Sequence, residues 1–276
     1  MKKYILSFAA VAAMLASCSQ DDHLEIAGND TADSTLQPIT TIYASSENGS
    51  RAVVDGSRIL WQEGDRIGVL NSSMNIAYTL SNGVGTTIGE FSNAESGITS
   101  IDAVMYPYQQ DATYDYYDLS FEIPTVQEGV RGSFDKNAAI MYGFGSSANQ
   151  QLSLAVNFLK ITIPVGVRSV TISSPTTSLT GKMKLSGGNV SAVTDKGCNY
   201  VRLIPANGAE YFISDDYYIA VKPGEIVTPT ITFVRNYLTF NNALQEISKT
   251  STKNIQFSDN KNVVPLKVDF TTGTIT

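Results

Sequence analysis

The chain has 276 residues, a formal charge of −7, one histidine, two cysteines and only 16% charged side chains. An acidic balance without any basic run excludes a nucleic-acid footprint, which needs clustered lysine and arginine against phosphates. One histidine and so few thiols cannot build a usual transition-metal site, and the sequence offers no Gly-x-Ser-x-Gly motif, Ser/His/Asp set or Cys/His pair, so neither a cofactor nor enzymatic chemistry is expected.

The N-terminus divides into parts with separate physical jobs. Lys2 and Lys3 form a positive flank, and residues 5–15 are an apolar run, too short for a bilayer span of roughly 20 helical residues. Leu15-Ala16-Ser17-Cys18 then reads as a lipobox: small residues at a cleavage site before a thiol able to take a diacylglycerol thioether. Residues 1–17 are therefore expected to be a signal peptide, and Cys18 the lipidated, palmitate-bearing first residue of the mature chain. The alternative is a plain secretory signal in which Cys18 is incidental. Each buried CH₂ of an acyl chain adds about 0.8 kcal/mol, so a triacylated cysteine gives stable anchoring. Without residues 1–17, which carry Lys2 and Lys3, the charge falls from −7 to −9. Lipidation of Cys18 leaves Cys198 without a disulfide partner.

Residues 18–38 are polar and read as a flexible tether. Ser19-Gln20-Asp21-Asp22 resembles the acidic surface-export signal of lipoproteins in a group of Gram-negative anaerobes, although acidic linkers are also common. His23 lies here, five residues from the lipid, where a general base is out of place. Asp30-Thr31-Ala32 and Asp33-Ser34-Thr35 resemble the O-glycan acceptor triplets of the same bacteria, which makes Thr31 and Ser34 candidate modification sites.

From Ile39 the pattern is short apolar runs broken by turn residues. Strands are expected at 40–44, 58–61, 66–70, 76–80, 87–91, 101–106, 119–123, 139–144 and 152–163, with turns at Asn48-Gly49, Asp55-Gly56, Glu63-Gly64-Asp65 and Asn82-Gly83. Pro164-Val165-Gly166 interrupts the rhythm. A second series follows at 169–173, 180–185, 200–204, 217–221, 230–234, 237–240 and 263–270. In the last of these, Val264, Leu266, Val268 and Phe270 alternate with Pro265, Lys267 and Asp269, the mark of a half-buried strand. No convincing helical periodicity occurs. The expected fold is all-β, as two consecutive sandwiches at 39–165 and 166–276, or else one large all-β domain.

Few motifs carry chemistry. Gly83, Gly85 and Gly89 open no helix and read as a hairpin connection rather than a phosphate loop. Asp111, Asp115, Asp118, Asp215 and Asp216 lie in tyrosine-rich segments, where a glycosidase pair has no particular support. Trp61 reads as a core anchor. The tyrosine clusters at 106–108, 114–117 and 217–218 offer rigid amphipathic area suited to subunit contacts or glycan stacking, or else are strand residues with wet hydroxyls.

Several of these stretches together resemble a known family. The lipobox, Arg51-Ala52-Val53-Val54-Asp55-Gly56, and above all Trp61-Gln62-Glu63-Gly64-Asp65-Arg66-Ile67-Gly68-Val69 look like fimbrillin-like lipoproteins of Gram-negative anaerobes. Ala103-Val104-Met105-Tyr106-Pro107-Tyr108, the stretch from Ile123-Pro124 to Gln127, that from Asp135 to Met141, and Asn157-Phe158-Leu159-Lys160-Ile161 follow in the family's order. Beyond residue 166 only the strand rhythm and the stretch from Tyr218 to Gly224 match. The resemblance implies two transthyretin-like β-sandwich domains and a structural, tip or anchor role in adhesive surface pili at the outer membrane. It also implies maturation by a protease that cuts after an arginine, and partners that are other pilin subunits. Applied here, the cut falls between Arg51 and Ala52, detaches the first strand, and switches monomer to polymer. The strand with Val264, Leu266, Val268 and Phe270 is the candidate donor, or else it closes its own domain and Arg51 is an ordinary turn residue. The alternative is a monomeric surface lipoprotein that binds glycan or host protein through its tyrosine-rich loops.

Overall fold

A computed structural model describes residues 37–46, 53–54, 57–236, 244–257 and 262–270. The regular structure of the described residues is strand apart from one short 3-10 turn at Ala206–Gly208: β1 (Thr41–Ser45), β2 (Val53–Val54), β3 (Ser57–Arg58), β4 (Arg66–Leu70), β5 (Asn75–Asn82), β6 (Ile88–Ser92), β7 (Ala103–Tyr106), β8 (Thr113–Asp115), β9 (Asp118–Ile123), β10 (Val126–Gly129) and β11 (Met141–Phe144). There follow β12 (Asn149–Gln151), β13 (Ser153–Leu154), β14 (Asn157–Ile163), β15 (Val167–Ser173), β16 (Thr180–Ser186), β17 (Asn189–Cys198), β18 (Tyr200–Pro205), β19 (Asp215–Val221), β20 (Thr230–Asn236), β21 (Leu244–Thr250) and β22 (Val263–Leu266). The fold class is all-β, built of several sheets.

The largest sheet has the order β12-β1-β6-β5-β4-β7-β11-β13. β11 and β12 lie near opposite ends of that order yet are joined by residues 145–148, so the sheet curls toward closure. Gly143 of β11 shows how near the ends come, since a Cβ there would lie 3.0 Å from the Gln151 carbonyl oxygen. Inside the curl sits the first core, with Ile42, Trp61, Ile67, Val69, Tyr78, Phe91 and Met105 buried.

A second core gathers Leu159, Ile161, Val170, Ile172, Leu203, Ile219, Ile231 and Phe233 under the five-stranded sheet β10-β18-β15-β20-β21. The three-stranded sheet β19-β14-β22 touches both cores. Phe158, Tyr218 and Ala220 pack into the first, while Leu159, Ile161, Tyr217, Ile219 and Val221 pack into the second. Side chains alternate across a strand, so two buried faces demand an unbroken apolar run, as Tyr217 to Val221 supplies. Sheets bridge residue 165: β9 pairs with β16 in the four-stranded sheet β17-β16-β9-β8, and β10 pairs with β18.

Several strands depart from the sequence expectation for identifiable reasons. Residues 152–163 form β13 and β14 rather than one strand, with the chain turning at Ala155 and Val156, both buried in the first core. Residues 59–61 are not a strand: Ile59 and Trp61 are buried while Leu60 is exposed, and Trp61 pairs its N–H with Thr86 O at 2.9 Å and its carbonyl with Gly85 N at 2.8 Å. β17 and β21 carry few apolar residues and lie at sheet edges, so no periodicity marks them. Residues 237–240 lie outside the described residues.

The Trp61-x-x-Gly64-Asp65 stretch is a turn leading into β4. Gly64 has φ +80°, a left-handed conformation that favours glycine. Asp65 N donates to Gln62 O at 3.0 Å, and Gln62 N donates back to Asp65 Oδ2 at 2.7 Å.

Candidate functional site

The first strand is the element on which the sequence expectations converge. β1 lies between β6, to which it runs antiparallel from Thr41↔Ser92 to Ser45↔Ile88, and the edge strand β12, to which it runs parallel. Tyr43 N donates to Ala148 O at 2.8 Å, Leu152 N to Ser45 O at 2.8 Å, and Ser46 N to Thr87 O at 2.9 Å. Removing β1 would strip partners from two strands at once.

Its inward side chains are Ile42, Ala44 and Ser46, all buried; Tyr43 between them is 44% exposed. Opposite Ala44 stands Gly89. A Cβ on Gly89 would lie 2.7 Å from Phe91 Cε2, 2.8 Å from Leu80 Cδ1 and 2.9 Å from Trp61 Cδ1. Trp61 thus fills the space that a side chain at position 89 would take. The indole is held edge-on by Phe91 (centroids 5.0 Å, 83°) and Tyr106 (5.1 Å, 80°), and its Nε1 donates to Thr87 O at 3.1 Å. At the inner end Ser46 Oγ donates to Ile59 O at 2.7 Å. At the outer end Tyr78 OH donates to Ile39 O. Gly89 reads from sequence as part of a hairpin connection; its role beside β1 appears only once the strands are paired.

β22, the candidate donor, is an edge strand paired parallel to β14, from Phe158↔Val263 to Ile161↔Leu266. The structure brings all four alternating residues together on the second core: Leu266 and Phe270 are buried, with Val264 and Val268 packed against the cluster. Phe270 meets Phe233 at 4.8 Å, and its carbonyl accepts from Arg235 Nη1 at 2.8 Å. Cys18, Thr31, Ser34, Arg51 and Ala52 lie outside the described residues. Arg51 falls between Ser46, the last described residue after β1, and Val53 of β2.

Three of the carboxylates in the tyrosine-rich segments are matched with bases. Asp118 meets Lys184 at 2.8 Å, Asp215 meets Arg131 at 3.0 Å, and Asp216 meets Lys160 at 3.1 Å. Lys184, then Ser186, hold the Asp118 carboxyl below its ordinary range. Asp65 is buried and accepts from Lys136 Nζ at 3.0 Å and Tyr106 OH at 3.2 Å. Burial first, then the Asp65 carboxylate, push the Tyr106 hydroxyl far above its ordinary value. Among the described residues no cluster of three or more His, Cys, Asp or Glu side chains is placed to hold a metal ion.

The tyrosine clusters divide sharply. Tyr106, Tyr217 and Tyr218 are buried, and Tyr108 lies under the Arg66 guanidinium at 4.8 Å. Tyr116 and Tyr117 are 88% and 80% exposed. They form the two-residue turn between β8 and β9, both at positive φ (44° and 68°), positions where Asn-Gly is usual.

No protein-family model matches the chain, and no curated protein matches it. Among solved structures it is similar to a candidate cell adhesion protein of Bacteroides thetaiotaomicron, with 11% identity and a TM-score of 0.37 over 86% of this chain and 96% of that one. It is also similar to a fimbrial protein of Bacteroides ovatus, with 12% identity and a TM-score of 0.29 over 83% of this chain and 48% of that one.

Proposed function

We propose that this chain is a surface lipoprotein, anchored through Cys18 to the outer membrane, that serves as a structural, tip or anchor subunit of adhesive fimbriae assembled by strand exchange. The observation that carries the reading is the placement of β1. The strand that closes the first core is also the one immediately before Arg51, so a single cut would free it together with the lipid and the tether. A groove left between β6 and β12 presents unpaired N–H and C=O groups beside apolar side chains, an edge that recruits a strand in trans. Head-to-tail filling of such grooves does not close on itself and yields a fibre. The partners are then other pilin subunits, and the strand carrying Val264, Leu266, Val268 and Phe270 is the element this chain offers to one of them.

The test is made on cells. In unboiled surface extract, an antibody to this chain should reveal a ladder of high-mass species, and Arg51→Ala should collapse it. A single monomeric band from both strains would overturn the reading.

One observation favours a second reading, a monomeric lipoprotein that binds glycan or host protein. Tyr116 and Tyr117 present two aromatic rings to solvent at a hairpin tip. A glycan-array response that disappears when both are replaced by alanine, with no high-mass ladder, would favour it.

A further inference from the structure

We infer that the seat of β1 is a size filter, admitting only a strand whose three successive inward residues are a large aliphatic, an alanine or glycine, and a serine or threonine. This rests on the strand-exchange reading and adds the chemistry of the partner. The wall decides it. Ile42 pairs with Phe91 across the ladder, Ala44 pairs with Gly89, and Ser46 reaches the Ile59 carbonyl at 2.7 Å. Beside the middle position the space next to Gly89 is already filled, because Trp61, Phe91 and Leu80 all approach within 3 Å of where a Cβ on Gly89 would be. Trp61 cannot yield cheaply, being buried, flanked by two rings and bonded to Thr87 O. An incoming residue larger than alanine must displace it. A residue without a hydroxyl at the third position leaves the Ile59 carbonyl without its Ser46 donor.

The chain's own candidate donor fails this filter. Its alternating residues Val264, Leu266, Val268 and Phe270 are all bulky, so every register that turns the apolar face inward sets valine, leucine or phenylalanine over Gly89. Pro265 also lacks an N–H, which an edge strand such as β22 tolerates and a strand flanked on both sides does not. The chain therefore accepts a strand from a different protein and does not fill its own groove with Val264 to Phe270 of a second copy.

The experiment uses purified chain cut by an Arg-specific protease and freed of residues 1–51. Three fluorescent peptides are titrated against it by anisotropy: residues 40–46, the same peptide with Ala44→Leu, and residues 263–270. The first should bind, the second at least tenfold more weakly, and the third no better than the second. Light scattering should show the cut chain alone remaining monomeric. Binding of the leucine peptide or of 263–270 within twofold of the first would overturn the filter while leaving strand exchange standing. If β1 stays bound after the cut and no peptide enters, strand exchange itself fails and the filter with it.

Discussion

Trp61 is the side chain on which the first core turns, since it fills the gap beside Gly89 and ties to Thr87 O. Trp61→Ala should cost about 3–5 kcal/mol, the range for truncating a buried aromatic, read as a shift in the urea midpoint. Tyr106 adds a pH dependence. Burial and Asp65 raise its folded pKa above the unfolded value of about 10, so the neutral hydroxyl is the form that the fold favours. That contribution is fully present below about pH 10 and is lost as the pH climbs beyond it. Tyr106→Phe should therefore flatten the fall in Tm between pH 9 and pH 11.5, while costing about 1 kcal/mol at neutral pH for the bond to Asp65. An unchanged alkaline limb would refute the assignment. Tyr116 and Tyr117 point the other way, each holding a positive φ that costs roughly 1 kcal/mol or more for such a residue. Replacing the pair with Asn-Gly should raise Tm, because that pair adopts the turn without strain.

At the scale of elements, the strands differ in how much holds them. β14 and β19 are buried on both faces, whereas β21 lies at an edge with only Ile247 partly covered. Amide hydrogen exchange should therefore be slowest in β14, which has a strand on either side, and fastest in β21 and β17, edge strands whose faces are largely exposed. β1 lies between these limits, with its core face buried and a short parallel edge strand outside it. Ala44→Leu in the intact chain should destabilise it by about 1–3 kcal/mol through overpacking against Gly89 and Trp61. A neutral result in thermal melts would mean that the slot beside Ala44 has room to spare.

For the whole molecule, the proposal of a lipid anchor on Cys18 has a direct test. Cys18→Ala should abolish palmitate labelling and release the chain from the membrane fraction; persistent labelling would disprove lipidation at this residue.

The all-β class was legible in residues 39–270, because runs such as Ile67-Gly68-Val69-Leu70 between Gly64 and Asn71 admit little but a strand. The Gln62–Asp65 turn and the alternation of Val264, Leu266, Val268 and Phe270 were legible for the same reason: turn chemistry and period-two alternation are local. What the sequence could not disclose is which strands meet. Gly89 becomes the floor of a slot only because Ala44, forty-five positions earlier, lies opposite it and Trp61 folds over the gap. The tyrosines could not be sorted in advance either, since Tyr116-Tyr117 and Tyr217-Tyr218 are the same dipeptide. One occupies a two-residue turn in solvent and the other a strand between two cores, and pairings between distant segments make that difference. Local chemistry sets which residues extend and which turn; register across sheets, a long-range property, sets what each side chain faces.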